Sequence, residues 1–298
     1  MAAPASLLQR RRNSGSRVLP VPLTCSSGAS DTGLDPCHKL FEKYDLLERL
    51  GRGSSGQVLR ARRKEDDKEV ALKIMSATGP DVLASRRAEF EILQNLRHPN
   101  IVQGLEFLCS DTTAVVALSY HAGSTLYRAV RESAGGCLEE VASQHLTDLH
   151  LVDFNTARPL MEGGSLTMTG TLEYAAPEVL HGESPSEQHD VWGAGLCLHW
   201  MLMGSLPHRP SGYPNVEAFA EAVLSEPVTC QEGRWQVISK DCRTVVRQCL
   251  ALKKHQRPAA LLLLAQPWLQ DLPCMCSLPD LPQCARRTQT EPAFVLAV

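Results

Sequence analysis

Three glycines in "LGRGSSGQV", Gly51, Gly53 and Gly56, followed by Val58, set the first chemical question. Glycine lets a backbone turn tightly and bring its N–H groups within reach of phosphate oxygens. The stretch lies between two alternating segments, "YDLLERLGRG" and "GQVLRARR", so it reads as a β-hairpin. That placement argues against a dinucleotide site, in which the glycines open a helix. In the next strand-like segment, "KEVALKIM", Lys73 stands among apolar neighbours and needs a counter-charge. The following helical stretch, "DVLASRRAEFEILQNLRH", offers Glu89. Singly these are a hairpin glycine, a surface lysine and a solvated helix face. In this order they form a phosphate-binding constellation.

The elements that must position these residues follow from periodicity. Leu83, Phe90, Leu93 and Leu96 recur at helical spacing, with Asp81 as the expected cap. "AVVALSY" (114–120) is a short buried strand. Beyond Leu138 the pattern is helical, over 191–203, 216–224, 242–251 and 259–270. Five strands followed by helices predict an α+β fold, a β-rich lobe with a helical one.

With these motifs in order, the chain resembles the eukaryotic protein kinases, of Ser/Thr type, from about Tyr44 to Leu272. "VALK" with Lys73, Glu89 and "HPNIV" match the small lobe. "DFN" (Asp153–Asn155) stands where the family has D-F-G. "TGTLEYAAPEV" carries A-P-E as Ala176, Pro177 and Glu178, "DVWGAG" the anchor helix of the large lobe, and "HQRPAA" the arginine, Arg257, that partners the A-P-E glutamate. The resemblance implies a two-lobed fold that binds ATP and Mg²⁺. Lys73 would hold the α and β phosphates with Glu89 orienting it. Asp153 would hold Mg²⁺, Val58 and Ala71 would sandwich the adenine, and Ser119, Tyr120 and His121 would form the hinge behind a Leu118 gatekeeper.

The catalytic loop of the family, H-R-D-x-x-x-x-N, does not occur. "HRP" (208–210) follows the anchor helix, and Asp148 of "HLTD" lies too close to Asp153 to serve as the base. "CLEEVASQ" (137–144) resembles the first two turns of the helix before the loop, and "LTDLHLVDFN" the hairpin after it. Roughly 25 to 35 residues are absent between them, judged from the motif order. No catalytic residue can therefore be assigned, and part of the large-lobe core is expected to be deleted. The expected consequence is weak nucleotide binding without phosphoryl transfer, in a domain that works through protein partners. The alternative is a truncated product, by alternative splicing or an incorrect gene model, of a gene that encodes an active ATP-dependent Ser/Thr kinase. Asp190, which normally receives hydrogen bonds from the loop backbone, is expected to be a buried carboxylate short of partners. Asn155, in place of glycine, tolerates positive φ.

The 298 residues suffice for one two-lobed domain, with 43% hydrophobic and 21% charged residues. A formal net charge of -3 gives no basis for a nucleic-acid or membrane surface. No apolar run reaches the ~18 residues that cross a bilayer. Residues 1–37 and 273–298 are expected to be disordered tails around a domain at 44–272, divided into lobes at 44–121 and 122–272. "RRRNS" (10–14) reads as solvated tail before a phosphorylation or nuclear signal. The "VLAV" terminus reads as a frayed end before a strand for a PDZ domain. The order of "SLLQRRRN" does not fit a secretory signal. The 11 scattered cysteines suit reduced thiols in the cytoplasm or nucleus. "CMC" with Cys284 lacks a fourth zinc ligand. Thr167, Thr169 and Thr171 lie in the activation-segment region, where a phosphate would lack its usual arginine.

Overall fold

Alternation of apolar and polar residues from Tyr44 onward produces an antiparallel sheet of five strands: β1 (Tyr44–Gly53), β2 (Gly56–Arg63), β3 (Glu69–Ser76), β4 (Gly104–Cys109) and β5 (Thr113–Ser119). Their order is β1-β2-β3-β5-β4. The computed structural model describes residues 36–53, 56–144, 149–157, 171–183, 186–270 and 293–297. The chain divides into two units, one of residues up to 87 with 104–120, the other of 88–103 with 121 onward.

The sheet belongs to the first unit. Leu59, Ala61, Val70, Leu72, Ile74, Val115 and Ala117 bury one of its faces. A helix, α1 (Pro36–Lys43), precedes β1 and adds Leu40 to that core. The N-terminal tail expected over 1–37 therefore ends earlier: Pro36 can start a helix because the first helical N–H needs no partner, and burial of Leu40 rewards the turns that follow. Tyr44, buried at the start of β1, donates from its hydroxyl to Glu106 Oε2 at 2.8 Å. Lys43 pairs with the same carboxylate. The next helix, α2 (Pro80–Asn95), straddles the two units and buries Glu89, Phe90 and Leu93. Asp81 is not its cap: the helix already includes Pro80, and Asp81 lies in the first turn, where a carboxylate favours the positive end of the helix dipole.

The second unit is mostly helical. It contains β6 (Gly123–Thr125), α3 (Leu126–Glu132), α4 (Glu140–Gln144), β7 (Leu149–Val152), α5 (Pro177–Leu180), α6 (Glu187–Met203), α7 (Val216–Ser225), α8 (Lys240–Cys249), α9 (Ala260–Leu264), α10 (Pro267–Gln270) and β8 (Ala293–Ala297). Its core gathers Trp192, Leu196 and Leu202 of α6, Phe219 of α7, and Val245 and Val246 of α8. Side-chain caps start three helices: Thr125 accepts from Arg128 N, Asn215 from Ala218 N and Ser239 from Cys242 N. Gly195 lets α6 and α8 approach, since a Cβ there would fall 2.6 Å from Cys249 Cβ.

Three expectations change here. The apolar run 259–270 is two short helices, because Pro267 lacks the N–H that would continue the first and instead opens the second. The helix expected from Cys137 begins only at Glu140, and Leu138 N instead donates to Met201 O at 2.7 Å. The C-terminal tail contains β8, which lies between β6 and β7 and is parallel to both.

Arg257 ties the helical unit together. Its Nη1 and Nη2 donate to Glu178 Oε1 and Oε2, both at 2.7 Å, with side chains 0% and 4% exposed. Nη1 also reaches Gln188 O at 3.0 Å and Nε reaches Ala251 O at 2.8 Å. The guanidinium lies 4.9 Å from the Trp192 ring centroid. Burial, the largest single influence, pushes the Glu178 carboxyl up, but the Arg257 hydrogen bonds, a backbone hydrogen bond and the charges of Arg257 and His189 together outweigh it and leave the pKa below its ordinary value. Arg257→Ala strands a buried carboxylate and should cost about 3–5 kcal/mol in urea unfolding, whereas Lys254→Ala, at an exposed pair with Glu183, should leave the urea midpoint nearly unchanged. Equal effects from the two substitutions would show that burial is not what matters.

Candidate functional site

Strand register places the first group of candidate residues on one face of the sheet. Val58 lies opposite Lys73 across β2 and β3, and Lys73 lies opposite Val116 across β3 and β5. Ala71, two positions before Lys73, lies opposite Leu118. Directly paired residues and residues two apart share a face. Val58, Ala71, Lys73, Val116 and Leu118 therefore occupy the face opposite the Leu59–Leu72–Ile74 core. Lys73 is only 7% exposed, an ionic group set among apolar strand neighbours.

The glycines stand at the end of the β1–β2 hairpin. Gly51 pairs with Val58 and Gly53 with Gly56, and residues 54 and 55 lie outside the described set. A Cβ added to Gly51 or Gly53 would meet nothing within 4 Å, so the space beside both is open. Gly56 differs. A Cβ there would lie 1.9 Å from Ile74 O, so only glycine fits against β3. One glycine is fixed by packing, and two leave room for a ligand.

Tyr120 follows β5 directly, and the Arg60 guanidinium lies 5.1 Å from its ring centroid. Arg60 is held in turn by Glu69, at 3.1 and 2.6 Å, and by Glu48 at 2.7 Å. No local pattern signals this contact, because Arg60 belongs to a basic run, "LRARR", that reads as solvated.

The remaining candidates belong to the second unit. Glu89, on α2, is 4% exposed. Asp153 follows β7 directly and has φ 70°, a left-handed backbone. Asn155, expected to be the position that tolerates positive φ, is not among the residues that adopt it. The left-handed conformation belongs to the candidate metal ligand itself, and an aspartate can take it because its short side chain tolerates that region. The 100–102 segment grips β7 along one edge. Leu151 N donates to Asn100 O at 2.8 Å, Val102 N donates to Leu151 O at 3.1 Å, and Asn100 Nδ2 donates to Leu149 O at 2.8 Å.

His121 stacks on His150 of β7 with centroids 3.7 Å apart. Burial, with a smaller repulsion from His150, lowers the His121 pKa to about 4. His199, against Trp235 and 2.8 Å from Ser205 O through Nδ1, is lowered to about 4 by burial. Asp190 is exposed at the start of α6, and so is not the buried carboxylate expected. Partial loss of hydration still raises its pKa, and His189 opposes that rise. No described residue hydrogen-bonds it, and water meets that need without the cost of a buried charge. His208 of "HRP" bonds Tyr213 Oη at 3.0 Å and Glu226 O at 3.3 Å, which are packing contacts. Thr171 is exposed and accepts through its carbonyl from Tyr174 N at 3.0 Å. His145, Asp148, Thr167, Thr169, Cys274, Cys276, Cys284 and residues 10–14 lie outside the described residues.

Two measurements follow. Gly56→Ala forces β2 away from β3 and should lower the thermal midpoint by several degrees, whereas Gly53→Ala should move it by far less; similar losses would contradict the packing argument. The second concerns acid. His121 and His199 take a proton near pH 4 in the folded chain but near their ordinary 6.5 when unfolded. Between those values the unfolded chain binds more protons. Stability is therefore lost as pH falls through 6.5 towards 4, at up to about 2.7 kcal/mol per pH unit for the two together. Urea titrations from pH 7 to 5 should show this loss, and His199→Asn should remove about half of the slope.

Comparison with known proteins places this geometry. A profile described as "Protein kinase domain" matches residues 44–149 and 139–269. Serine/threonine-protein kinase DCLK1 of Rattus norvegicus is 25% identical over 278 residues, covering 81% of this chain and 63% of that protein. Serine/threonine-protein kinase 1 of Arabidopsis thaliana is 26% identical over 254 residues, covering 73% of this chain and 30% of that protein. This chain thus spans less than two thirds of either relative. Serine/threonine-protein kinase SRK2B of Arabidopsis thaliana is 26% identical over 292 residues, covering 86% and 79%. Among solved structures, the kinase region of twitchin from C. elegans superposes with a TM-score of 0.66 at 23% identity, covering 77% of this chain and 46% of that one. It shares the fold, an antiparallel-sheet lobe and a helical lobe. The profile matches run over most of the chain, which belongs to the protein kinase family.

Proposed function

We propose that this chain is a protein-kinase-like domain that binds ATP weakly, does not transfer phosphate in this form, and acts through contacts with other proteins. The observation that carries this reading is the junction before β7. Helix α4 ends at Gln144 and β7 begins at Leu149, leaving residues 145–148 between them. That is fewer than the H-R-D-x-x-x-x-N motif itself requires. The family profile agrees in kind, because it matches in two pieces that overlap at 139–149. Without the aspartate that accepts the proton of the substrate hydroxyl and the asparagine that holds a second metal, most of the positioning that drives phosphoryl transfer is lost.

In this proposal the amides of Gly51, Gly53 and Gly56 face the phosphates, and Lys73 neutralises them with Glu89 as its counter-charge. Val58 and Ala71 take the adenine, and the backbone at Tyr120 reads its edge. Open space beside Gly51 and Gly53 fits a phosphate chain. Among the described residues no cluster of three acidic, histidine or cysteine side chains could form a metal cage. Mg²⁺ is held by one or two carboxylates together with the phosphates of the nucleotide. Asp153 is the carboxylate assigned to it, and the metal would supply charge neutralisation across those phosphates.

Thermal shift measurements with ATP test the binding claim. Ligand at about ten times Kd adds about 1.4 kcal/mol and should raise the midpoint by a few degrees, with little dependence on Mg²⁺ and no shift in Lys73→Ala. Absence of a shift in the wild type would remove the nucleotide from the proposal. Transfer of radiolabelled phosphate by the purified chain, abolished by both Lys73→Ala and Asp153→Ala, would overturn its inactivity. The two overlapping profile matches also favour a compatible second reading, in which the same gene encodes a longer, active Ser/Thr kinase. Transcript reads across Gln144 and His145 that contain an H-R-D loop would establish it.

A further inference from the structure

The three-stranded sheet of the second unit has an arrangement that the kinase resemblance does not account for. Its order is β6-β8-β7, so β6 and β7 are not neighbours, and each is a strand of this sheet only through β8. In register, Gly123, Ser124 and Thr125 pair with Ala293, Phe294 and Val295. Leu149, His150, Leu151 and Val152 pair with Phe294, Val295, Leu296 and Ala297. The sequence "AFVLA" is an unbroken apolar run, as suits a strand with neighbours on both edges. Parallel neighbours cannot be joined by a tight turn, and residues 271–292 leave ample chain for the crossover from α10.

The backbone of β7 shows what β8 does. Leu151 gives its N–H and its carbonyl to the 100–102 edge. In a strand, alternate residues turn these groups to opposite edges, so those of His150 and Val152 face β8. Both residues are half-buried, where a backbone group without a partner is costly. Asp153 comes next, in its left-handed conformation. The strand that pairs with β7 therefore fixes the residue that carries the candidate metal ligand.

We propose that β6 and β7 frame a strand-accepting slot, that residues 293–297 of this same chain are its occupant, and that occupancy holds β7 and Asp153 in place. A segment from the far end of the chain thus supplies the middle strand of this sheet. The consequence for Asp153 rests on the nucleotide reading above; the slot itself does not.

Hydrogen exchange read by mass spectrometry on the full chain separates the two. Val295→Pro removes a ladder N–H from a central strand. Exchange at 123–125 and 149–152 should accelerate at least tenfold, while α8 (240–249) stays protected. Unchanged exchange at 149–152 would overturn the slot. If α8 also loses protection, the chain truncated after residue 290 decides. Added in trans, a synthetic peptide of residues 291–298 should restore protection at 149–152, and a scrambled peptide should not. Rescue supports the slot, and failure of rescue overturns it. In the same samples the thermal shift with ATP should shrink when the slot is empty and return with the peptide. A slot confirmed by exchange, with no nucleotide shift in any sample, would leave the strand assignment standing and remove only the nucleotide site. A nucleotide shift indifferent to the peptide would remove only the link to Asp153.

Discussion

One guanidinium, that of Arg257, sets the arrangement of the helical unit. It meets both oxygens of Glu178 on α5, the carbonyl of Gln188 in the first turn of α6 and that of Ala251 beyond α8, and it lies over the Trp192 ring. A charge so deeply buried is tolerable only because all five donors have an acceptor in place, the last being Leu252 O at 3.3 Å. A lysine could not do the same, for its ammonium lacks the planar fork that meets a carboxylate at two points. Helices that share no local sequence pattern are thereby given a common reference point. The close contact of α6 with α8 at Gly195 is an adjacent result of the same packing.

The stub of helix before the missing loop is held by a different kind of contact. With only 5 residues, α4 is too short to be stable by its own hydrogen bonds. Glu140 compensates by accepting from Ser239 N at 2.7 Å, from the Ser239 hydroxyl, and from Trp268 Nε1 at 2.8 Å. Arg234 adds bonds to Leu138 O and to Glu139, both at 3.2 Å. Polar anchoring to the cap of α8 replaces the packing a longer helix would make. The chain on either side of the junction is thus fastened independently, α4 to α8 and β7 to the 100–102 segment and β8.

What could be read in the sequence was whatever depends on local period or on a motif of fixed order. The five strands are of that kind, as is the pairing of Arg257 with Glu178. Contacts between segments without such a pattern could not be read. Leu40 is buried because of a sheet that begins after it. Arg60 meets Tyr120 although its neighbours suggest a solvated run. Asp153 takes a left-handed backbone directly after β7, which no local pattern signals. The apolar content of 259–270 suggests one helix, whereas the N–H missing at Pro267 divides it in two.

The pairing of Gly123 with Ala293 reaches across more than half of the chain, and this has a meaning for synthesis. Translation is vectorial, and β6 and β7 leave the ribosome long before their common neighbour does. At about 5–20 residues per second, roughly 7–30 s separate the emergence of Val152 from that of Ala293. Arg257 itself emerges only about 36 residues, roughly 2–7 s, before Ala293, and in that last part of the interval α6, α7 and α8 can condense around it while the sheet beside them lacks its middle strand. The nascent protein therefore passes through a stage with a finished helical core and an unpaired strand edge. Until β8 arrives, that edge is open to pairing with any other strand that reaches it.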